Sequence, residues 1–460
     1  MTKAVRRESV ETDSRRLAAL VSLSCEPGSR RPFLALLALA ALSLLSRSLT
    51  AADCKTLPLP GDFKENGMWS ALYAARNGLV YIGAQAHGAE AHFYQYDPAA
   101  GKIRHVADMS ELAGEKGRGV RIQAKIHTRF VEDKNGKIYF GTGNQGSGPW
   151  NIDPRSWGGG HWWTYDPVKD RVEDLGVVAK GDSDLYGLAY DPVGHRLYAT
   201  AFNNHFYVFD LSTRTTIDMG RVTNWDACRT IVADDQGNCY GSFEKHGIFK
   251  YDVATNRVLD LPLTLPHDPF QWPNDLARPR LDRKHIWRVV EWSKRDRLIY
   301  GVEGGASYLF SFDPHKGEFG EIKYLAQLTA PALVGRHDLG YAALSMTIGK
   351  DNIIYYAANA RAFDYASEAG SVGENAAYLV SFDPGRGTRQ DYGRLVDGDG
   401  RLVLGTQAAA CGPDGTLYFF GAVEEKDESR AVGKVRGEKP FALRLIIVDP
   451  AQLRARAKTD

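Results

Sequence analysis

The chain has 460 residues, 43% of them hydrophobic, and a formal net charge of +1 from 57 Lys and Arg against 56 Asp and Glu. In so even a balance, without a long Lys/Arg run, nothing global points to nucleic acid, and function must be local. Length alone suggests about three domains, but an internal repeat overrides that estimate.

The first segment reads as a leader. Arg30 and Arg31 precede an apolar run from Phe33 to Leu45, and small residues follow up to Ala52. A positive flank, a short apolar core and a Thr50-x-Ala52 pattern predict a secretory signal peptide over residues 1–52. The apolar run is shorter than the roughly 20 residues a bilayer requires. The expectation is a secreted or periplasmic protein with one domain over 53–460 and no stable membrane span after cleavage.

A phrase then returns seven times: an aromatic or aliphatic strand ending in Asp, usually followed by Pro, at Asp97, Asp166, Asp210, Asp252, Asp313, Asp383 and Asp449. The steps average about 59 residues, at the upper end for repeat arrays. A hairpin signature precedes each, two apolar runs around a polar or Gly-containing turn, as in RFVEDKNGKIYFGT and AACGPDGTLYFFG. Two strands, a turn, a third strand ending in Asp and room for a fourth make one propeller blade. The predicted fold class is all-β, a seven-bladed β-propeller of four-stranded antiparallel blades. The recurring Asp is read as turn chemistry, and Lys55 to Met68 is expected to pack across the ring or close it.

Five cysteines suit an exported chain, with no CxxC and no zinc-like spacing. Cys228 and Cys239 sit on the two arms of one hairpin, and Cys54 with Cys411 could tie the N-terminus to the last blade. Free buried thiols are the alternative.

Antiparallel strands put the start of a first strand and the end of a second on one rim, with the turn between them on the other. The first turns are short throughout. The long segments, from Gly143 to Gly160, Leu263 to Lys284, Ala326 to Tyr341, Arg361 to Asn375 and Glu424 to Pro440, all fall on the opposite rim, where long loops are usually functional or disordered. First strands start there with Trp69, His127, Tyr186, Arg229, Arg288, Ser345 and Gln407. Second strands end there near His87, Asn144, Asn203, Asn204, His205, Glu244, His246, Glu303 and Asn359.

That inventory offers Glu244 and Glu303 as its only carboxylates, a thin supply for glycosidic hydrolysis, and no G-x-S-x-G elbow appears. His, Tyr and Arg instead suit proton removal alpha to a carboxylate, with Arg stabilising the developing enolate. This is the chemistry of β-elimination from a uronic acid. Trp162, Trp163 and Trp150 serve either as blade filling or as sugar platforms, whereas Trp157 lies in a Gly-rich loop, SWGGGH.

KIHTRFVEDKNGKIYFGT, GGHWWTYDP, and LYGLAYDP with HFYVFD resemble secreted seven-bladed propeller polysaccharide lyases of the ulvan lyase type, over most of the mature chain. The resemblance implies His127 and Tyr186 in proton transfer and an Arg neutralising the uronate. Where it implies a second histidine, this chain has Gly143 and Asn144, and the loop returns at His161, taken as the substitute. No Arg stands in the AFNNHF segment, so the neutralising role passes to Arg229 or Arg288. Trp157 and His205 complete the expected substrate-binding set. No cofactor is firmly implied. A divalent metal (Ca²⁺, Mn²⁺ or Zn²⁺) could sit among His205, His246 and His337, as in oligogalacturonate lyase-like propellers, or among Glu303, Asn204 and Asn359, as in lactonase-like ones. The expected partner is an acidic polysaccharide or oligosaccharide, acted on by a lyase or bound by a non-catalytic propeller that takes a glycan or a protein.

Overall fold

Why the repeated phrase makes a blade is visible in its burial. Third strands such as His92–Asp97 and His161–Asp166 are buried on both faces except at the terminal Asp, as unbroken aromatic runs require. Fourth strands such as Thr215–Arg221 alternate between half-buried and exposed, because they form the outer edge. A computed structural model describes residues 51–61, 63, 65, 67, 69–85, 89–144, 152–181, 184–222, 228–243, 247–265, 287–335, 342–360, 375–435 and 439–456.

Those residues build seven antiparallel blades, covering 72–108, 125–177, 185–221, 232–264, 287–327, 346–397 and 403–448. The inner strands of neighbouring blades touch in turn, and that of blade 7 (Val403–Cys411) meets that of blade 1 (Leu72–Ala74), so the ring closes. Large side chains fill the space between blades. Trp162 and Trp163 are fully buried there, with their indole N–H groups donating to Thr216 and Thr142 at 3.1 and 2.8 Å, which makes both blade filling and not sugar platforms.

The Asp of each phrase is turn chemistry. Asp97, Asp166, Asp210 and Asp383 each accept backbone N–H groups two and three residues on. The first turns use the same device, with Asp133, Asp191 and Asp234 folding the chain around one carboxylate oxygen, and Asp397 does so in the link from blade 6 to blade 7.

Closure comes from an N-terminal strand, β1 (Ala51–Pro58). Lys55 to Pro58 pair antiparallel with Ile447 to Arg444, supplying the outermost strand of blade 7. Ala51 to Cys54 pair parallel with Arg394 to Asp397, the outer strand of blade 6. The strand thus begins two residues ahead of the domain boundary expected at 53, and cleavage after Ala52 would remove two rungs of the parallel ladder. Among the described residues no helix is long and apolar enough to cross a membrane.

Neither expected disulfide forms: Cys54, Cys228, Cys239 and Cys411 are free. Cys54 lies on the outermost strand of blade 7 and Cys411 on the innermost, three strand spacings or roughly 14 Å apart, beyond a disulfide's reach. In blade 4 the register sets Cys239 opposite Ala233, while the Cys228 sulfur accepts the Ser242 N–H at 3.2 Å.

Candidate functional site

Four of the expected first-strand residues meet in the channel at the long-loop mouth. The His127 ring lies 4.6 Å from Trp69 and 4.4 Å from Tyr186, edge-on to the latter. The Arg229 guanidinium sits over both Trp69 and Tyr186, 4.9 Å from each ring centroid, in cation–π geometry. Its Nη1 reaches the His127 Nε2 at 3.3 Å. A guanidinium can only donate, so this contact occupies the Nε2 lone pair. His127 and Tyr186 are 2% and 0% exposed. Blades 1 to 4 each contribute one member of this cage, which is why residues so distant in sequence can form it.

Two residues that the sequence did not single out complete the cage. Lys125, two positions before His127 and on the same strand face, brings Nζ to 5.8 Å from the Trp69 ring. Burial lowers its pKa to about 8; the Asp184 carboxylate opposes that shift and Arg229 adds to it. Asp184, also buried, accepts the Asn144 backbone N–H. Its packing requires the glycine before Asn144: a Cβ at Gly143 would lie 2.9 Å from the Asp184 Cα and 2.8 Å from its Oδ1. No side chain fits at 143 while Asp184 holds that place. The KIH segment was the available signal for Lys125; for Asp184 there was none, since it lies in an ordinary interblade link.

The other expected residues lie elsewhere. Arg288 is buried and its Nε donates to the Ala342 carbonyl at 2.9 Å, between blades 5 and 6. His161 pairs with Asp174 at 2.8 Å within blade 2, and His205 pairs with Asp218 at 2.8 Å within blade 3. His92 and His105, 3.0 Å apart, occupy the same third-to-fourth-strand place in blade 1. A position repeated in three blades serves blade edges. Trp157 is half-buried at the end of the short 3-10 turn Pro154–Ser156, whose Ser156 hydroxyl accepts the Arg121 N–H.

For calcium, Glu303 accepts the Gly305 and Ala306 N–H groups at 2.7 and 2.8 Å, and the Asn359 side chain bonds Thr406. Both are engaged within the protein. Among the described residues no three His, Cys, Asp or Glu side chains gather as a metal site. His87, His246, His337, Glu244 and Trp150 lie outside the described residues.

Below the cage the channel is crossed. Arg129 of blade 2 donates from Nη1 to the Val290 carbonyl of blade 5 at 2.6 Å, with Glu291 close beside it. The short first turns surround the second mouth of the channel, on the far side of this bridge.

A closed ring of seven four-stranded blades around a cation–aromatic cage defines a β-propeller. No family model and no curated protein matches the sequence. Among solved structures the chain is similar to the WD40 repeats of RRP9, with a TM-score of 0.55 and 10% identity over 87% of this chain and 99% of that one. A structure of U3-55K matches with a TM-score of 0.55 and 10% identity over 87% and 100%. The Mitotic Checkpoint Complex contains a chain matching at a TM-score of 0.50 and 12% identity over 81% and 92%. At such identities the likeness is one of fold.

Proposed function

We propose that this protein is a non-catalytic binding propeller whose long-loop mouth receives a carboxylate-bearing glycan. The observation that carries the reading is the cage itself: Lys125, His127 and Arg229 packed on Trp69 and Tyr186. The cationic groups of Lys125 and Arg229 beside aromatic faces match the two parts of a uronate, its carboxylate and its apolar ring face. Trp157, on the insertion of blade 2, offers a further platform.

The contact of His127, Tyr186 and Arg229 keeps a second reading in play, β-elimination by a polysaccharide lyase. In it His127 or Tyr186 takes the proton and Arg229 neutralises the uronate, with or without a divalent metal. One feature weighs against turnover in the described state: the Nε2 lone pair of His127 is engaged by Arg229. A general base must reach its proton within hydrogen-bond distance.

The test is affinity electrophoresis of the mature protein through gels containing ulvan, polygalacturonate or a neutral glucan, with ultraviolet absorbance of the same mixtures followed with and without Ca²⁺, Mn²⁺ or Zn²⁺. Retardation by the acidic glycans alone, without a rise in absorbance, supports binding. A rise that His127→Ala abolishes moves the assignment to the lyase, and absence of retardation overturns both.

A further inference from the structure

The second mouth opens into a cavity of about 790 Å³, within the range that drug-sized ligands fill. Each blade contributes to its wall, with Leu72, Phe130, Leu188, Ile231, Ile348 and Ala410 among the apolar members and Trp292 at its side. Arg129, which bridges to the Val290 carbonyl, and Glu291 line it on the channel side.

Charge around this mouth is unevenly spent. Glu132 takes the Arg76 guanidinium and the Tyr73 hydroxyl. Asp133 and Asp234 fold their own turns and accept from Tyr139 and Tyr240. Asp235 holds Arg297 and His315. The cations are different. Lys134, Lys294, Arg295 and Lys350 are exposed on the first turns of blades 2, 5 and 6, and no carboxylate pairs with them among the described residues. The carboxylates are committed internally, while the cations face solvent beside an apolar cavity.

We infer that the short-turn mouth is a binding site for an amphipathic anion, its apolar body seated against Leu72, Phe130, Leu188, Ile231 and Ala410 and its acidic head among Lys134, Lys294, Arg295 and Lys350. An apolar body gains by leaving water, and the head stays at the hydrated rim, where no desolvation of charge is required. The apolar wall disfavours a sugar or a polar peptide, whose hydrogen-bonding groups would lose water without replacement. This site shares no residue with the cage, so its test is independent of the glycan reading.

Isothermal titration and Trp292 fluorescence would be measured with dodecanoate below its micellar range, alongside dodecyltrimethylammonium and butanoate. Dodecanoate is expected to bind at least tenfold more tightly than either, with a fluorescence change that Trp292→Phe removes. Ala410→Trp, which fills the cavity, and the surface triple variant Lys294→Glu/Arg295→Glu/Lys350→Glu should each weaken binding about tenfold or more. The triple variant lies on exposed turns, so it separates loss of the site from loss of the fold. Equal binding of the cationic amphiphile, no binding of dodecanoate, or affinity unchanged by the triple variant would overturn the assignment.

Discussion

The two mouths of one channel are built from the same seven inner strands yet end differently. At the long-loop mouth, strand starts carry Trp69, His127, Tyr186 and Arg229, which close on one another. At the short-turn mouth most of the same strands end in turns organised by an Asp side chain, the carboxylates there are engaged within the protein, and the space between the turns stays open. The repeat accounts for the difference. Most of the first turns obey one hydrogen-bond rule, an Asp or Asn side chain accepting a backbone N–H two residues on, so they produce a regular rim. Interblade links carry no such rule and are free to bring unlike residues together. Arg129 lies between the two, reaching from blade 2 to the Val290 carbonyl of blade 5.

The largest expected effect strikes both mouths at once. Deleting 51–58 strips the outer strand from blade 7 and the parallel rungs from blade 6. Such a loss is comparable to the whole ~5–15 kcal/mol by which domains are stable, so the truncated chain should lose cooperative unfolding in a thermal melt. Retention of a single sharp transition would show that β1 does not close the ring.

Arg129→Ala should break the bridge between the mouths. It leaves the Val290 carbonyl without its donor and removes the cation near Glu291, a loss of about 3 kcal/mol, read as a lower midpoint in urea. The same floor predicts a pH slope. Burial pushes the Glu291 carboxyl up to about 7, with Arg129 opposing, whereas in an unfolded chain it ionises near ~4.3. Between those values the folded state holds the proton more tightly, so this group's contribution to stability falls as pH rises through the window. Glu291→Gln should flatten that slope, as melts from about pH 4 to about pH 8 would reveal; an identical slope would remove Glu291 as its source.

At the cage, Trp69→Ala removes one of the two rings around Arg229, a contact of about 0.5–2 kcal/mol, and should weaken acidic-glycan binding several-fold while leaving dodecanoate binding at the other mouth unchanged. Smallest of all, Asp210→Ala deletes the acceptor for Ser212 and Thr213 N–H and should cost about 1 kcal/mol without touching either mouth.

The propeller was legible in the sequence because its governing rule is local and repeated: an apolar run, an Asp, a turn. The first-strand starts were legible for the same reason, and Trp69, His127, Tyr186 and Arg229 followed from strand direction alone. Arg288 shared that alignment but turns to the Ala342 carbonyl, a choice set by the neighbouring blade. His161 and His205 looked like channel residues because they follow long or polar loops; their cross-strand partners, Asp174 and Asp218, each lie thirteen positions further on, a spacing that becomes meaningful once the register is known. Lys125 and Asp184 were hidden since burial of a charge depends on three blades meeting, and Gly143 was noticed as a gap without the Asp184 contact that requires it. The closing strand lay further toward the N-terminus than expected, because Ala51 and Ala52 read equally well as a cleavage site and as strand.

The most direct test of the central claim is calorimetric titration of an acidic oligouronate into wild type, Arg229→Ala and Ala410→Trp, with ultraviolet absorbance recorded on the same samples. Binding by wild type and Ala410→Trp, at least tenfold weakened in Arg229→Ala and without any rise in absorbance, is the predicted result. Binding that survives Arg229→Ala but is lost in Ala410→Trp would place the glycan at the wrong mouth, and a rise in absorbance with wild type would make the cage a catalytic centre.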